Sequence, residues 1–317
     1  MKISTSVNVM EVESLHHVYS VAEGIKMIAD VGFEAMDYSL TGSAVRWEEG
    51  IFTDPSDPEF AAYFRRAAAV ATDHGVKIYQ THAPYCKPNC TDPAAYAILQ
   101  KQIIRAVYAT KYMNCPYIVV HPVLYPEFDN GQNREEALRT NLEFFAEMVP
   151  ALKETGVTMC IENLYRGEYG QPKIANACSD AEQLREVVDT LNGTYGSHFA
   201  VCLDTTHAVV AGQDPIYMLK VLGDRVRTLH IHDTQGVFDD HLLPGRGIID
   251  WKKFAQTLGE IGYQGTFNFE ASVYQQEFTK EFFNAAVVKS VHRLMYDVGR
   301  SLADIAEKSK ENFRKPN

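Results

Sequence analysis

The chain has 317 residues, 46% hydrophobic and 22% charged, enough to bury a sizeable core. Its formal net charge is −11, its isoelectric point is near 5.5 and no stretch is strongly basic, which argues against a nucleic-acid partner. No run of about 18 apolar residues suits a membrane span, and the first residues (MKISTSVNVM) lack the apolar centre of a secretion signal.

Cys160 and Cys202 lie in apolar runs, where a small buried thiol is the ordinary occupant. Cys86 and Cys90 form a CxxxC spacing without a second pair, so a structural zinc is not expected there. The expected location is cytoplasmic.

Short β-rich runs alternate with helical patterns from end to end. Strands are expected at 2–7, 35–39, 76–82, 117–121, 157–162, 199–204, 226–232 and 265–270. Helices are expected at 19–31, 58–74, 92–113, 134–155, 180–191, 214–222, 250–261 and 277–305. Gly32, Gly75 and Gly156 close three of them, and Ser179 or Asp180 caps the fifth. Most strands are continuous apolar runs, as expected when both faces are covered. Eight β/α units without a linker predict a single domain over 1–317. It is an α/β chain folded as one (β/α)8 TIM barrel, with a C-terminal helix from about 277 and a solvated tail over 307–317. A doubly wound sheet is disfavoured, because VNVME and not a glycine-rich phosphate turn follows the first strand.

In such a barrel, function sits at the C-terminal ends of the strands. The third to eighth strands end in His82, His121, Glu162, Asp204 (with His207 three residues on), His230 with His232, and Glu270. One buried histidine is usually a satisfied core group. Six strands in register ending this way are hard to explain by packing, and carboxylates buried at a barrel mouth are costly unless paired or coordinated. A divalent cation resolves that cost. Glu162, Asp204, His230 and Glu270 are the expected ligands, for Mn²⁺ first and Mg²⁺, Co²⁺ or Zn²⁺ as alternatives. If Ile231 points out, His230 and His232 both point in, one ligating and the other lying deeper or touching substrate.

The segments THAPY (81–85), VVHP (119–122), IENLYRGE (161–168), LDTTH (203–207), HIHD (230–233), DDHLLPGRGIIDW (239–251) and FNFE (267–270) resemble the sugar phosphate isomerase/epimerase superfamily. This xylose isomerase-like TIM-barrel group contains ketose 3-epimerases, inosose dehydratases, hydroxypyruvate isomerases and endonuclease IV. The resemblance implies the same four ligands, with Glu162 and Glu270 also serving as the catalytic acid–base pair. The E-x-x-x-R-x-E pattern of the epimerases falls on Glu162, Arg166 and Glu168, so Arg166 is expected to contact substrate, and Glu168 and His207 to contact sugar hydroxyls. Where those enzymes carry an arginine before the P-G-x-G turn, this chain has His241, after Asp239 and Asp240. That D-x-H element, with His82 and His121, resembles the extra metal ligands of endonuclease IV.

The implied activity is that of an isomerase or epimerase abstracting a proton α to the carbonyl of a ketose or keto-polyol, through a metal-stabilised enediolate. A lyase on the same scaffold, a 3-keto C-glycoside deglycosidase subunit or an inosose-type dehydratase, shares that first step. An endonuclease IV-like phosphodiesterase and a non-catalytic sugar-binding barrel are further alternatives. His82, His121, His232 and His241 are expected to contact substrate. Trp47, in the long loop 41–57, is expected to form a wall of the substrate pocket. Tyr85, Tyr125 and Tyr274 read as rim packing residues. The expected partner is a small sugar or polyol. A homo-oligomer is expected, or a partner subunit if the enzyme cleaves C-glycosides.

Overall fold

A computed structural model of the chain describes all residues except 7–19, 42–44, 87–91, 126–132, 168–173, 272–283 and 315–317. Glu168, Cys90 and Tyr274 therefore lie outside the described residues. Eight parallel strands form the barrel: β1 (Ile3–Ser6), β2 (Ala35–Ser39), β3 (Lys77–His82), β4 (Tyr117–Val120), β5 (Thr158–Glu162), β6 (Phe199–Asp204), β7 (Val226–His230) and β8 (Phe267–Phe269). Each pairs with its sequence neighbour, β8 pairs with β1 (Ile3 opposite Phe267), and an Ile231–Phe269 bridge closes β7 onto β8.

The outer helices are α1 (Val21–Val31), α2 (Pro58–Asp73), α3 (Pro93–Tyr112), α4 (Arg134–Ala146), α5 (Val149–Thr155), α6 (Ala181–Tyr195), α7 (Thr205–Val210), α8 (Pro215–Leu222), α9 (Trp251–Glu260) and α10 (Ala285–Arg314). Asp57, Asp92 and Asp214 each stand before a proline, and each side chain accepts a backbone N–H of the first turn. Proline fits there because its missing N–H would have no helical partner.

The structure departs from expectation in three elements. The helix expected over 134–155 is two, α4 and α5, because Pro150 can donate no N–H to a continuous ladder. The expected tail is helical through Arg314, because α10 packs closely on α9. A Cβ at Gly259 would lie 2.2 Å from the Ala306 carbonyl oxygen, and Ser309 Oγ donates to the Gln256 carbonyl at 2.9 Å. The short helix α7 was not expected. It starts because the Asp204 side chain, at the end of β6, accepts the His207 backbone N–H at 2.6 Å. One aspartate thus ends a strand, caps a helix and turns His207 toward the barrel mouth.

Trp47 does not reach that mouth. Its indole is 6% exposed, stacks on Phe64 of α2 (centroids 6.3 Å apart) and donates Nε1–H to the Leu40 carbonyl at 3.0 Å. Phe52 and Phe60 complete the aromatic cluster. The expectation of a substrate wall at Trp47 is corrected, since a large apolar ring gains more between loop and helix than over a polar cavity. Trp47→Ala is expected to lower unfolding free energy by about 3–5 kcal/mol and to leave KM unchanged. Denaturant melts beside steady-state kinetics check this, and a raised KM with unchanged stability would restore the wall.

Candidate metal centre

The mouth of the barrel gathers histidines and carboxylates from successive strands. Glu162 ends β5, Asp204 ends β6, His230 ends β7 and Glu270 follows β8. His230 Nδ1 lies 3.0 Å from Glu162 Oε1, 2.8 Å from Glu270 Oε2 and 4.0 Å from Asp204 Oδ2. One ligand atom from each of these four residues falls within 4.8 Å of the others. Among the described residues, Glu162 Oε2 and Glu270 Oε2 are buried without a well-formed hydrogen bond and face histidine nitrogens. Buried carboxylate oxygens in that condition are costly, and a divalent cation between them removes the cost. Three carboxylates and one imidazole suit Mn²⁺, Mg²⁺, Co²⁺ or Zn²⁺. The four residues therefore fit the ion expected from the sequence.

Further imidazoles flank this group. His121 Nε2 and His82 Nε2 lie 3.3 and 3.5 Å from Glu162 Oε2, and Tyr85 stacks on His121 with centroids 4.8 Å apart. His82, His121 and Glu162 form a second set of atoms close enough for an ion, and His232, His241 and Glu270 a third. His207 Nδ1 is 3.2 Å from Glu162 Oε1, while its Nε2 is 3.5 Å from Asp239 Oδ2. His232 Nε2 lies 2.6 Å from Asp204 Oδ2, and its ring stacks on His241 at 4.2 Å. His241 holds a left-handed backbone (φ 47°), with Nδ1 donating to the Glu270 carbonyl at 2.8 Å and Nε2 3.1 Å from Asp239 Oδ2. Histidine is among the non-glycine residues that enter that region most readily.

Charge in the metal-free cluster is strongly polarised. Burial raises the Glu162 carboxyl, but His230 and His121 beside it win and hold it well below the usual range. Glu270 is lowered in the same way: burial opposes, and His230 dominates. Burial also opposes the shift of Asp239, where His241 and His207 lower it. Burial lowers His230, yet the carboxylates of Glu162 and Glu270 and the bond to Asp37 keep it well above its ordinary value. Asp239 raises His241 against burial, to about 10. His121 moves the other way, because burial outweighs Glu162.

The structure thus brings together Glu162, Asp204, His230, Glu270, His82, His121, His207, His232 and His241. Arg166 sits half-buried in a short antiparallel pairing of Tyr165–Arg166 with Ile174–Ala175.

Three residues not singled out in the sequence shape the cluster. Tyr165 donates its hydroxyl to Asp239 Oδ2 at 2.9 Å. Asn163 clamps the Asp204 backbone at both its N–H (2.8 Å) and its carbonyl (2.9 Å). Asp37, an acid inside an otherwise uncharged strand, meets His230 from below at 3.2 Å. That unusual placement was its sequence signal. Asp233, by contrast, is a structural anchor. Its carboxylate accepts the Gly245 and Gly247 backbone N–H groups and the Trp251 indole N–H, at 2.8–2.9 Å. Gly247 is required in this knot, since a Cβ there would lie 2.1 Å from the Thr234 carbonyl oxygen.

Among the described residues no helix is long and apolar enough to cross a membrane. The D-psicose 3-epimerase of Enterocloster bolteae is 29% identical over 147 residues, spanning 46% of this chain and 43% of that enzyme. Two solved structures share the fold at low identity. A D-tagatose 3-epimerase-like protein is 19% identical (TM-score 0.68, covering 96% of this chain and 99% of that one). The IolI protein with a bound zinc atom is also 19% identical (TM-score 0.64, covering 98% and 99%). The family model described as xylose isomerase-like TIM barrel matches residues 25–295, most of the chain including every strand end that carries the cluster, and the chain belongs to that family.

Proposed function

We propose that this barrel binds a divalent cation through Glu162, Asp204, His230 and Glu270 and moves a proton α to the carbonyl of a ketose or keto-polyol, as a sugar epimerase or isomerase. The observation that carries the reading is the convergence of Glu162 and Glu270 on His230 Nδ1, with Glu162 Oε2 and Glu270 Oε2 buried without a well-formed hydrogen bond among the described residues. When bound, the cation supplies Lewis-acid polarisation of the substrate carbonyl and its adjacent hydroxyl. One glutamate removes the α proton, and the other returns a proton to the opposite face or to the neighbouring carbon. Both carboxyls are held ionised at neutral pH, so the one that returns a proton must first take it from solvent. His82, His121 and His207 stand around Glu162, placed to orient hydroxyl groups by hydrogen bonds. The D-psicose 3-epimerase relative supports the substrate class, and the zinc atom named for IolI is in keeping with a metal on this fold.

The same proton abstraction begins β-elimination, so a lyase differs only in the product. Screening ketoses, inososes and 3-keto-glycosides in D₂O with Mn²⁺, followed by NMR, separates the outcomes. Deuterium at a stereocentre α to the carbonyl supports the epimerase, and an enone or released aglycone supports the lyase. Absence of exchange from every carbonyl substrate would sink both.

A second reading rests on the flanking His82–His121–Glu162 and His232–His241–Glu270 sets, which could hold further cations. Several metals suit phosphoester hydrolysis. The net charge of −11 opposes a polyanionic substrate, leaving a small phosphoester. Release of p-nitrophenol from bis(p-nitrophenyl) phosphate with Zn²⁺ or Mn²⁺ would favour this reading.

A further inference from the structure

Beneath the proposed cation site lies a layer of polar side chains that the chemistry above does not use. Asp37 is in the middle of β2, 3% exposed. Its Oδ2 accepts from Gln80 Nε2 of β3 at 2.9 Å, from His230 Nε2 of β7 at 3.2 Å and from Asn268 Nδ2 of β8 at 3.4 Å. Asn268 is itself fixed, its Oδ1 accepting from Ser4 Oγ of β1 at 2.7 Å. Five strands therefore hold one carboxylate in place. Among the described residues its ion-pair partner is His230.

We propose that Asp37 is a positioning residue for the cation: by accepting the Nε2–H of His230, it fixes the imidazole so that the Nδ1 lone pair faces Glu162, Asp204 and Glu270. The inference rests on the cation-binding reading above. A neutral imidazole carries one ring N–H, and a carboxylate at Nε2 selects the tautomer with the proton there. The nitrogen left to hold the cation, once its own proton is expelled, is then Nδ1, the one 2.8–3.0 Å from the two glutamates. A carboxylate behind a ligating histidine also increases its electron donation to the metal and fixes the ring plane. Packing alone gives no reason for an acid here. A buried carboxylate is expensive, and the oxygen of an amide could accept from Gln80 and Asn268 in its place.

Asp37→Asn keeps the side-chain volume while offering His230 Nε2 an amide. Mn²⁺ and Zn²⁺ binding by calorimetry at fixed pH, on the full chain stripped of metal, is expected to weaken by about 10–100-fold. The metal-free variant is expected to melt lower, because it loses the buried Asp37–His230 ion pair, so affinity is measured at a temperature where it is fully folded. A purely structural residue would lower the melting temperature and spare affinity. ¹⁵N NMR of the Zn²⁺-loaded wild type is the companion measurement, with the His230 proton expected on Nε2. Affinity of the variant within about threefold of wild type, or metal on His230 Nε2, overturns the proposal; the wild-type spectrum decides alone if the variant does not fold. Wild-type protein that binds neither ion would instead overturn the cation reading on which this one stands.

Discussion

Glu162→Gln and Glu270→Gln are each expected to reduce turnover by about 10³-fold at saturating substrate, the middle of the range for losing a positioned acid or base. Glutamine keeps the shape of the side chain and one oxygen, so the loss isolates the carboxylate. Each glutamate has two proposed roles, holding the ion and moving the proton, and they separate by titrating metal. If the residue served only as a ligand, excess Mn²⁺ would restore wild-type turnover. If it carries the proton, turnover stays low with the site full. The two variants should also differ in kind. Removing the base that abstracts the proton abolishes exchange and conversion together. Removing the one that returns it slows conversion more than exchange, because the abstracted proton can still trade with solvent. Wild-type turnover in both variants would remove the glutamates from the mechanism.

Much of this arrangement was legible because a parallel barrel imposes a simple rule. The fourth, fifth and sixth strands are largely apolar until their C-terminal ends, so His121, Glu162 and Asp204 stand out as interruptions, and His82 and Glu270 fall at the same level of the third and eighth. Residues whose placement depends on tertiary packing were harder to read. Trp47 occurs in a long loop, and nothing local shows whether an aromatic there faces the cavity or helix α2; the Phe52, Phe60 and Phe64 rings decide it. Asp233 sits next to a cluster histidine and looks like part of the chemistry, yet strand alternation turns it away into the Gly245–Gly247 knot. Asp37 has no periodic signature, because its partners come from β3, β7 and β8, far apart in sequence. The helix break at Pro150 was readable from proline chemistry alone and shows the opposite case, in which a local rule outweighs a long amphipathic pattern.

Cation uptake is expected to compete with protons. In the metal-free protein the carboxylates around it keep His230 protonated above its ordinary range, and Asp239 raises His241 to about 10. A cation needs the bare His230 Nδ1, so binding at neutral pH must expel that proton. Apparent Mn²⁺ affinity should therefore rise by about tenfold per pH unit for each proton released, between about pH 6.5 and 8.5. Calorimetry in buffers of different ionisation enthalpy measures the number directly. Release of one proton fits the four-residue site, and more than one would mean that His241 or another flanking imidazole also gives up its proton. Stability without metal should respond in the opposite sense. For a histidine raised in the folded state, the contribution is full below the unfolded value of about 6.5 and is lost as pH climbs through the folded one, here about 10 for His241. The depressed Asp239 contributes above the unfolded carboxyl value of about 4 and loses its share as pH falls below it. The stripped protein should thus gain most from this pair between about pH 4 and 6.5, where cation binding is weakest. A Mn²⁺ affinity independent of pH, with no proton release, would mean that His230 is already neutral and that the carboxylates around it are balanced in some other way.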